Sequence, residues 1–293
     1  MSPVVALLKT IRPHQWVKNL FVAAALVFSR HLTNPEYVLR TGIAVLAFCM
    51  LSGAVYAFND VRDVEADRAH PTKKHRPIAS GALSERAALT ASILLAVIAL
   101  GGCFILSWKL AAIAALYLAQ NVAYSFKLKQ IAFIDVGVIA TGFILRVLAG
   151  AAAINVPASG WLLICTALLA TFLGLGKRAH ELAWAERIGK AHETRASLAG
   201  YRIPVVRAAM FLLGIVTCAA YLAYTVDKHT VAFFHTDQLP YSSPFVLLGI
   251  LRFMSLALWY PKDESPTEAM LKDPWFLLNL AAAGATVLYF IYR

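Results

Sequence analysis

Long apolar runs, separated by short polar connections, alternate along almost the whole chain. One helix needs roughly 20 predominantly apolar residues to cross a bilayer. By this measure nine runs are long enough to cross or nearly cross a bilayer, at 17–31, 38–58, 87–107, 109–125, 132–153, 159–176, 208–226, 243–259 and 275–292. The short connections, several of which contain proline, favour antiparallel neighbours. The pattern predicts an all-α integral membrane protein with nine transmembrane helices in a single domain over residues 1–293.

The composition supports a membrane protein and excludes several other classes. Hydrophobic residues make up 60% of the chain and charged residues 15%, whereas a soluble domain normally carries about a quarter charged residues. A disordered chain and a soluble secreted domain are therefore excluded. The four cysteines lie inside apolar runs without paired spacing, so we interpret them as small core residues, and neither a zinc site nor a disulfide scaffold is expected.

The distribution of basic residues predicts the orientation of the chain, because positively charged loops stay in the cytoplasm. The formal net charge is +11, with 27 lysines and arginines against 16 acidic residues. With the N-terminus inside, 20 of the 27 basic residues lie on the cytoplasmic side, five lie outside and two lie within the runs. Two connections, 59–86 and 177–207, are longer and strongly polar. We predict that the N-terminus and both of these loops are cytoplasmic.

The most informative motif is an acidic stretch, 59–67, at the cytoplasmic end of the second run. On a continuous helix, at about 100° per residue, Asp60, Asp63 and Asp67 fall within an arc of roughly 60°. Three converging carboxylates repel one another unless a cation neutralises them, and hard oxygen ligands suit Mg²⁺. The alternative explanation is a solvated helix end whose acids pair with Arg62 and basic residues downstream. Carboxylates bordering a bilayer are costly without a function, which favours the metal site.

Further polar side chains lie at the same predicted depth. Lys73 and Arg76 suit phosphate, although lipid head groups would attract them equally. Lys177 and Glu181 are one turn apart and pair with each other, or else the cations Lys177 and Arg178 bind a phosphate and Glu181 a metal, a water or a sugar hydroxyl. The same cytoplasmic level holds Lys18, Asn19, Tyr124, Lys129 and Asp135.

The sequence alone leaves the roles of Asp135 and Arg146 open. Asp135 starts an apolar run, so it is either a helix cap or a ligand. Arg146 lies eleven residues further on, deep in the same run, where an arginine faces the bundle interior and binds an anion or a backbone carbonyl. Together the clusters predict a Mg²⁺-dependent, phosphate-rich site at the cytoplasmic face of a helical bundle.

The Asn-Asp-x-x-Asp-x-x-x-Asp motif at 59–67 resembles the first aspartate-rich motif of the UbiA superfamily of intramembrane prenyltransferases. The nine spans and two long cytoplasmic loops agree with the fold that this resemblance implies. In that superfamily the second motif is usually Asp-x-x-x-Asp near the end of the sixth helix. Here 177–181 is Lys-Arg-Ala-His-Glu. A lysine cannot hold a metal, but it favours the binding of an additional phosphate.

This substitution and four other segments resemble the decaprenyl-phosphate phosphoribosyltransferase branch of the superfamily. The segments are Arg-Pro-His-Gln-Trp-Val-Lys-Asn at 12–19, Asn-Asp-Val-Arg-Asp at 59–63, His-Pro-x-Lys-x-x-Arg-Pro-Ile-Ala-Ser-Gly at 70–81 and Tyr-Ser-x-x-Leu-Lys at 124–129. The resemblance implies transfer of 5-phosphoribose from 5-phosphoribosyl 1-diphosphate (PRPP) to a polyprenyl (decaprenyl) phosphate in a bacterial inner membrane. Pyrophosphate is released, and the product serves cell-wall arabinan synthesis.

The resemblance also implies roles for the candidate residues. Mg²⁺ on the donor diphosphate is assigned to Asn59 and the catalytic Asp60, Asp63 and Asp67, with Lys73 and Arg76 covering the leaving charge. The 5-phosphate is assigned to Lys177 and Arg178, and a ribose hydroxyl or second metal to Glu181. The acceptor phosphate is assigned to Lys18, Lys129 or Arg146, and Tyr124 and Asp135 are counted with the substrate-binding residues.

Two alternatives remain at this point. The first is a UbiA-type transferase that moves a polyprenyl chain onto an aromatic acceptor, against which the 177–181 cluster argues. The second is a transporter for an anionic lipid with Arg146 and Arg252 on its path, but no inverted repeat is evident. No nucleic-acid partner is expected, and a homo-oligomer and the lipid length are left open.

Overall fold

The computed structural model describes residues 2–70, 72–187, 196–259 and 265–293, and within these ranges the regular structure is helical. The α-helices are α1 (Pro3–Ile11), α2 (Ala24–Phe28), α3 (Pro35–Arg62), α4 (Val64–Ala69), α5 (Glu85–Leu106), α6 (Trp108–Phe126), α7 (Ile134–Ala153), α8 (Gly160–Arg187), α9 (Ile203–Val226), α10 (Lys228–Phe234), α11 (Ser243–Leu258), α12 (Pro266–Lys272) and α13 (Pro274–Tyr292). The predicted loop 177–207 lies partly outside the described residues.

The helices confirm the predicted all-α membrane fold. In the described part of the chain seven segments are long and apolar enough to cross a membrane: α3, α5, α7, α8 up to Glu186, α9, Leu239–Leu258 and α13. The 19-residue α6 and the segment Pro13–Phe28 correspond to the other two predicted spans. One boundary differs from the prediction, because α8 continues 11 residues beyond the apolar run that ends at residue 176. The polar cluster at 177–181 therefore lies on a helix.

The first predicted span is not a simple α-helix. It is a 3₁₀ helix over Pro13–Ala23 followed by the short α2. Its buried positions Asn19, Val22 and Ala25 recur every three residues, and in a 3₁₀ helix residues three apart are aligned on one face. A carbon added as a side chain at Gly150 would collide with the carbonyl of Val22. The absence of a side chain at Gly150 therefore lets the two backbones approach closely.

The chain packs as two compact units, of which the first comprises Met1–Lys127 and Leu145–Ala158. Its core brings the 3₁₀ helix together with α3, α5, α6 and the second half of α7, through buried residues that include Val22, Phe48, Leu51, Leu110 and Ala149. At the N-terminus of the unit, α1 packs on α3, where Gly53 leaves room for Ile11.

The second unit comprises Leu128–Ile144 and Ser159–Arg293. The start of α7 packs there with α8, α9 and α11 around Val136, Phe172, Met210 and Phe253. Near its edge, Arg252 forms two hydrogen bonds to the carboxylate of Asp273 at the start of α13. The single domain expected from the sequence stays a prediction, because each unit is defined by its own contacts.

Arg40 ties together the ends of two helices in the first unit, and its loss should destabilise that unit. Its guanidinium donates to the carbonyl of Ala153 (2.8 Å) and to that of Leu106 (3.1 Å), the last residues of α7 and α5. Such terminal carbonyls have no partner within their own helix. We expect Arg40→Met to lower the free energy of unfolding by about 1–3 kcal/mol, measured by thermal unfolding in detergent. Lys109→Met, which removes an exposed cation, should change it little.

Candidate functional site

The acidic motif lies where α3 ends and α4 begins. Helix α3 ends at Arg62, Asp63 occupies the junction, and α4 starts at Val64. The expectation of one continuous helix across the three aspartates is thus wrong, because the chain breaks its helical path at the middle one. Asp60 and Asp67 are nevertheless both buried, with 3% and 4% of their surface exposed, and Asp63 is half-buried.

Two arginines neutralise the buried aspartates. The Arg76 Nη1 contacts Asp67 Oδ2 at 2.6 Å and Asp60 Oδ1 at 3.2 Å, so one nitrogen joins both carboxylates. The Arg12 Nη2 contacts the same Asp60 oxygen at 2.5 Å. We call Arg12, Asp60, Asp67 and Arg76 the four-residue cluster. Its formal charges cancel, which explains how two acids are accommodated with almost no contact with solvent.

Arg12 is the member of the four-residue cluster that the sequence reasoning did not single out. It follows α1 in the left-handed backbone region, with φ at 52°, and precedes the 3₁₀ helix. Its guanidinium lies over the ring of Tyr56 on α3, 5.0 Å from the centroid. In the sequence, Arg12 is the first residue of the segment 12–19 that carries the family resemblance, but nothing there indicates a partner 48 residues away.

The donors around this cluster suit a hard divalent cation. Asn59 Oδ1 is buried and accepts no hydrogen bond from the residues that the structure describes. It stands in the chain next to Asp60, so a neutral oxygen and buried carboxylate oxygens come from one short segment. Oxygen donors of this kind are those that Mg²⁺ prefers. In the described ranges no three histidine, cysteine, aspartate or glutamate side chains come together as a ready-made metal site.

Three other candidates of the first unit lie at the surface or partly covered. Lys73 is exposed in the short 3₁₀ turn Lys73–His75. Lys18, in the long 3₁₀ helix, and Tyr124, in the last turn of α6, are half-buried. Arg76 directly follows the turn that holds Lys73. This turn reverses the chain, so that the Arg76 guanidinium contacts Asp60 and Asp67.

Arg146 lies in a buried polar network of the first unit, as expected for an arginine deep in a helical bundle. Only 7% of its surface is exposed. Its guanidinium donates to Asn19 Oδ1 and to the Tyr117 hydroxyl, each at 2.8 Å, and it lies 4.8 Å from the centre of the Tyr117 ring. Ser52 contacts both of these partners at 3.3 Å. The network joins α7, the 3₁₀ helix, α6 and α3 through neutral oxygens.

The second cluster belongs to the second unit and centres on Arg178, which is fully buried. Its Nη1 lies 2.5 Å from Glu181 Oε2, and its Nε lies 3.5 Å from Asp135 Oδ2. Asp135 is also fully buried and accepts a hydrogen bond of 2.6 Å from the Tyr201 hydroxyl. Asp135 is therefore the partner of an arginine and a tyrosine. The sequence had suggested only a helix cap or a ligand for this residue.

Tyr201 is the member of the second cluster that the sequence reasoning missed. Its hydroxyl donates to Asp135 and accepts from the backbone N–H of Phe133, at 2.7 Å. Burial and the hydrogen bond to Asp135 raise the pKa of Tyr201 well above its usual value, so the side chain stays neutral. A tyrosine after a long polar loop gives no sequence signal of this contact. Lys177 and Lys129 are half-buried in the same unit.

Comparison with known proteins agrees with this fold. Residues 19–292 match the UbiA prenyltransferase family. The chain belongs to this family. The resemblance found in the sequence is thereby confirmed, and the protein is a multi-pass membrane transferase.

Individual UbiA relatives cover nearly the same length. The decaprenyl-phosphate phosphoribosyltransferase of Mycobacterium tuberculosis is 36% identical over 256 residues, which cover 85% of this chain and 82% of that protein. The protein of the same name from Mycolicibacterium smegmatis is 35% identical, with 98% and 93% covered. The structure of a UbiA homolog from Archaeoglobus fulgidus bound to GPP and Mg²⁺ superposes with a TM-score of 0.70, covering 98% of this chain and 97% of that one, at 16% identity. At that identity the structural likeness concerns the fold.

Proposed function

We propose that this UbiA protein transfers 5-phosphoribose from PRPP to a polyprenyl phosphate of the decaprenyl type, in a Mg²⁺-dependent reaction that releases pyrophosphate. Its site faces the cytoplasm of a bacterial inner membrane, and the product serves the synthesis of cell-wall arabinan. The names of the two mycobacterial relatives support this assignment. The observation that carries it in this chain is the arrangement of Lys177, Arg178 and Glu181.

That arrangement favours a phosphorylated donor over a prenyl diphosphate. Glu181 is the only acid at 177–181, and the buried Arg178 binds it. Asp135, the other acid of the second cluster, also pairs with Arg178. A cluster whose acids are already neutralised is a poor place for a second metal. With Lys177 as a further cation it suits the 5-phosphate of a ribose donor, and we assign Glu181 to a sugar hydroxyl.

We assign the diphosphate of the donor to the acidic motif. Asn59, Asp60, Asp63 and Asp67 are the residues that would hold Mg²⁺. Bound there, the metal would neutralise negative charge on the diphosphate. Arg76, with Lys73 on the same loop, would bind the diphosphate oxygens and stabilise the charge that collects on them as pyrophosphate departs.

The chemistry of the transfer needs no strong general base. An oxygen of the lipid phosphate, already an anion at neutral pH, forms a bond to C1 of the ribose. The bond from C1 to the diphosphate oxygen breaks, and its electron pair leaves with pyrophosphate. The task of the protein is then to position two anions and to stabilise charge. For the acceptor phosphate we propose Lys18, Lys129 or Arg146, and we count Tyr124 and Asp135 with the substrate-binding residues.

The decisive experiment uses the purified full-length protein in detergent. It is incubated with decaprenyl phosphate, PRPP labelled in the ribose, and Mg²⁺, with and without a chelator, and label is followed into the organic phase. We expect chelator-sensitive labelling of the lipid and an equal amount of released pyrophosphate.

Two controls separate this reaction from the alternatives. A labelled prenyl diphosphate with an aromatic acid should give no product, and transport of decaprenyl phosphate across vesicles without PRPP should not occur. Prenylation of the aromatic acid in the absence of any ribose transfer would contradict the proposal.

A further inference from the structure

The four-residue cluster holds two arginines in contact with the carboxylates that are candidates for the metal. Arg12 and Arg76 both contact Asp60 Oδ1, at 2.5 and 3.2 Å, and Arg76 also contacts Asp67. A divalent cation placed on Asp60 and Asp67 must share these oxygens with the arginines or displace them. The two kinds of cation therefore compete for the same acceptors.

The charges make this competition depend on a third partner. The cluster is formally neutral, so a divalent cation alone adds two positive charges beside two guanidinium groups. In a site with little solvent, like charges at such distances repel strongly. A diphosphate removes the conflict, because its oxygens neutralise the metal and offer the guanidinium groups new acceptors. Metal and diphosphate should therefore bind together much better than the metal binds alone.

Arg12 is suited to change partners in this way. In the contact between Arg12 and Asp60, Arg12 is the more exposed partner: 24% of its side chain is accessible, whereas Asp60 is buried. Its backbone lies at the junction of α1 and the 3₁₀ helix and not within either helix. The ring of Tyr56 supports its guanidinium from one side. An arginine fork that is oriented but not enclosed can bind a phosphate oxygen with a small movement.

We infer that Arg12 is a diphosphate-binding residue that couples metal binding to donor binding: it neutralises Asp60 when the donor is absent and moves to the diphosphate when metal and donor arrive. The inference rests on the proposed function for the place of the metal. It adds a residue that composition and motif spacing did not single out, and it predicts that the free protein binds metal poorly. By linkage, the metal must strengthen diphosphate binding by the same factor as the diphosphate strengthens metal binding.

The test measures metal and diphosphate binding separately from catalysis. Mn²⁺ binding to the full-length protein without diphosphate is followed by the loss of the electron paramagnetic resonance signal of free Mn²⁺. Retention of radiolabelled inorganic pyrophosphate is then measured at saturating Mn²⁺. We expect Arg12→Gln to bind Mn²⁺ about tenfold more tightly, since one neighbouring charge changes the proton affinity of a carboxylate by about one to three pKa units. The same variant should retain pyrophosphate about tenfold more weakly.

Two further variants separate this role from a structural one. Arg68→Gln removes an equal charge from α4, where Arg68 pairs with Glu85 at the surface, and should change both affinities less than twofold. Arg12→Lys keeps the charge without the fork, so it should restore the weak Mn²⁺ binding and only part of the pyrophosphate retention. Weaker binding of both ligands by Arg12→Gln would make Arg12 a structural support and overturn the inference. Equal effects of Arg68→Gln and Arg12→Gln would do the same.

The probe also separates this inference from the phosphoribosyl assignment. Inorganic pyrophosphate reports on the metal and diphosphate whichever group the donor carries. Failure of ribose transfer together with the opposite shifts in Arg12→Gln would overturn the proposed substrate and leave the coupling intact. Ribose transfer with unchanged binding in Arg12→Gln would overturn the coupling alone.

Discussion

Asparagine at Asp60, Asp63 or Asp67 is expected to reduce ribose transfer by roughly a hundredfold or more. Asparagine preserves the size of the side chain but removes the negative charge that holds a metal. Asp60 and Asp67 are buried beside arginines, so their loss also leaves positive charge that the diphosphate alone must neutralise. The measurement is the rate of lipid labelling from labelled PRPP at several Mg²⁺ concentrations.

Glu65→Gln is the matched control for the acidic motif. Glu65 lies on α4 between these aspartates and is exposed, so its neutralisation should leave the rate within about twofold, as for most surface substitutions. Retained protein yield and an unchanged elution volume would show that the aspartate variants are folded. Near-normal turnover in all three would remove the metal from this motif.

Replacement of Arg178 by methionine is expected to have the largest effect on stability. The change removes the cation that neutralises Asp135 and Glu181, and Asp135 has no exposed surface. Breaking a buried ion pair from one side lowers the free energy of unfolding by about 3–5 kcal/mol, because an uncompensated charge remains. The measurement is unfolding in detergent, followed by loss of the folded monodisperse fraction with temperature.

A double variant tests the physical reason for this loss. Arg178→Met combined with Asp135→Leu removes both buried charges, so it should recover much of the stability that Arg178→Met loses. Tyr201→Phe, which removes the hydrogen bond to Asp135 and the one from the Phe133 N–H, should have a smaller effect of about 2 kcal/mol. A double variant that is as unstable as the sum of the two single ones would show that the pair does not interact.

The sequence was informative about features that depend on the periodicity of one segment or on the type of a single residue. Runs of apolar residues located the membrane helices to within a few positions except at the end of α8, since a bilayer imposes their length and composition. The depth of Arg146 predicted a buried arginine that binds an anion or a backbone carbonyl. The structure shows the burial, but the contacts with Asn19 and Tyr117 are to neutral side-chain oxygens. The acidic motif predicted three converging carboxylates, and the structure joins two of them, Asp60 and Asp67, through one arginine nitrogen.

The contacts that the sequence did not predict are those between distant segments. Arg12 reaches Asp60 across 48 positions, and Tyr201 reaches Asp135 across 66. Such contacts depend on how helices pack, and no local pattern encodes that packing. The break at Asp63 was missed for a related reason. Helical periodicity predicts a continuous helix through every residue that is compatible with one, and Asp63 is such a residue.

The 3₁₀ helix at Pro13–Ala23 changes the distance that the first span can cover. At about 2.0 Å per residue its 11 residues extend about 22 Å, and the five residues of α2 add about 7 Å. Sixteen residues thus approach the thickness of the hydrocarbon core, about 30 Å, which an α-helix of equal length would leave about 5 Å short. A substitution that rewinds this segment into an α-helix would shorten it and shift Lys18 and Asn19 along the helix axis.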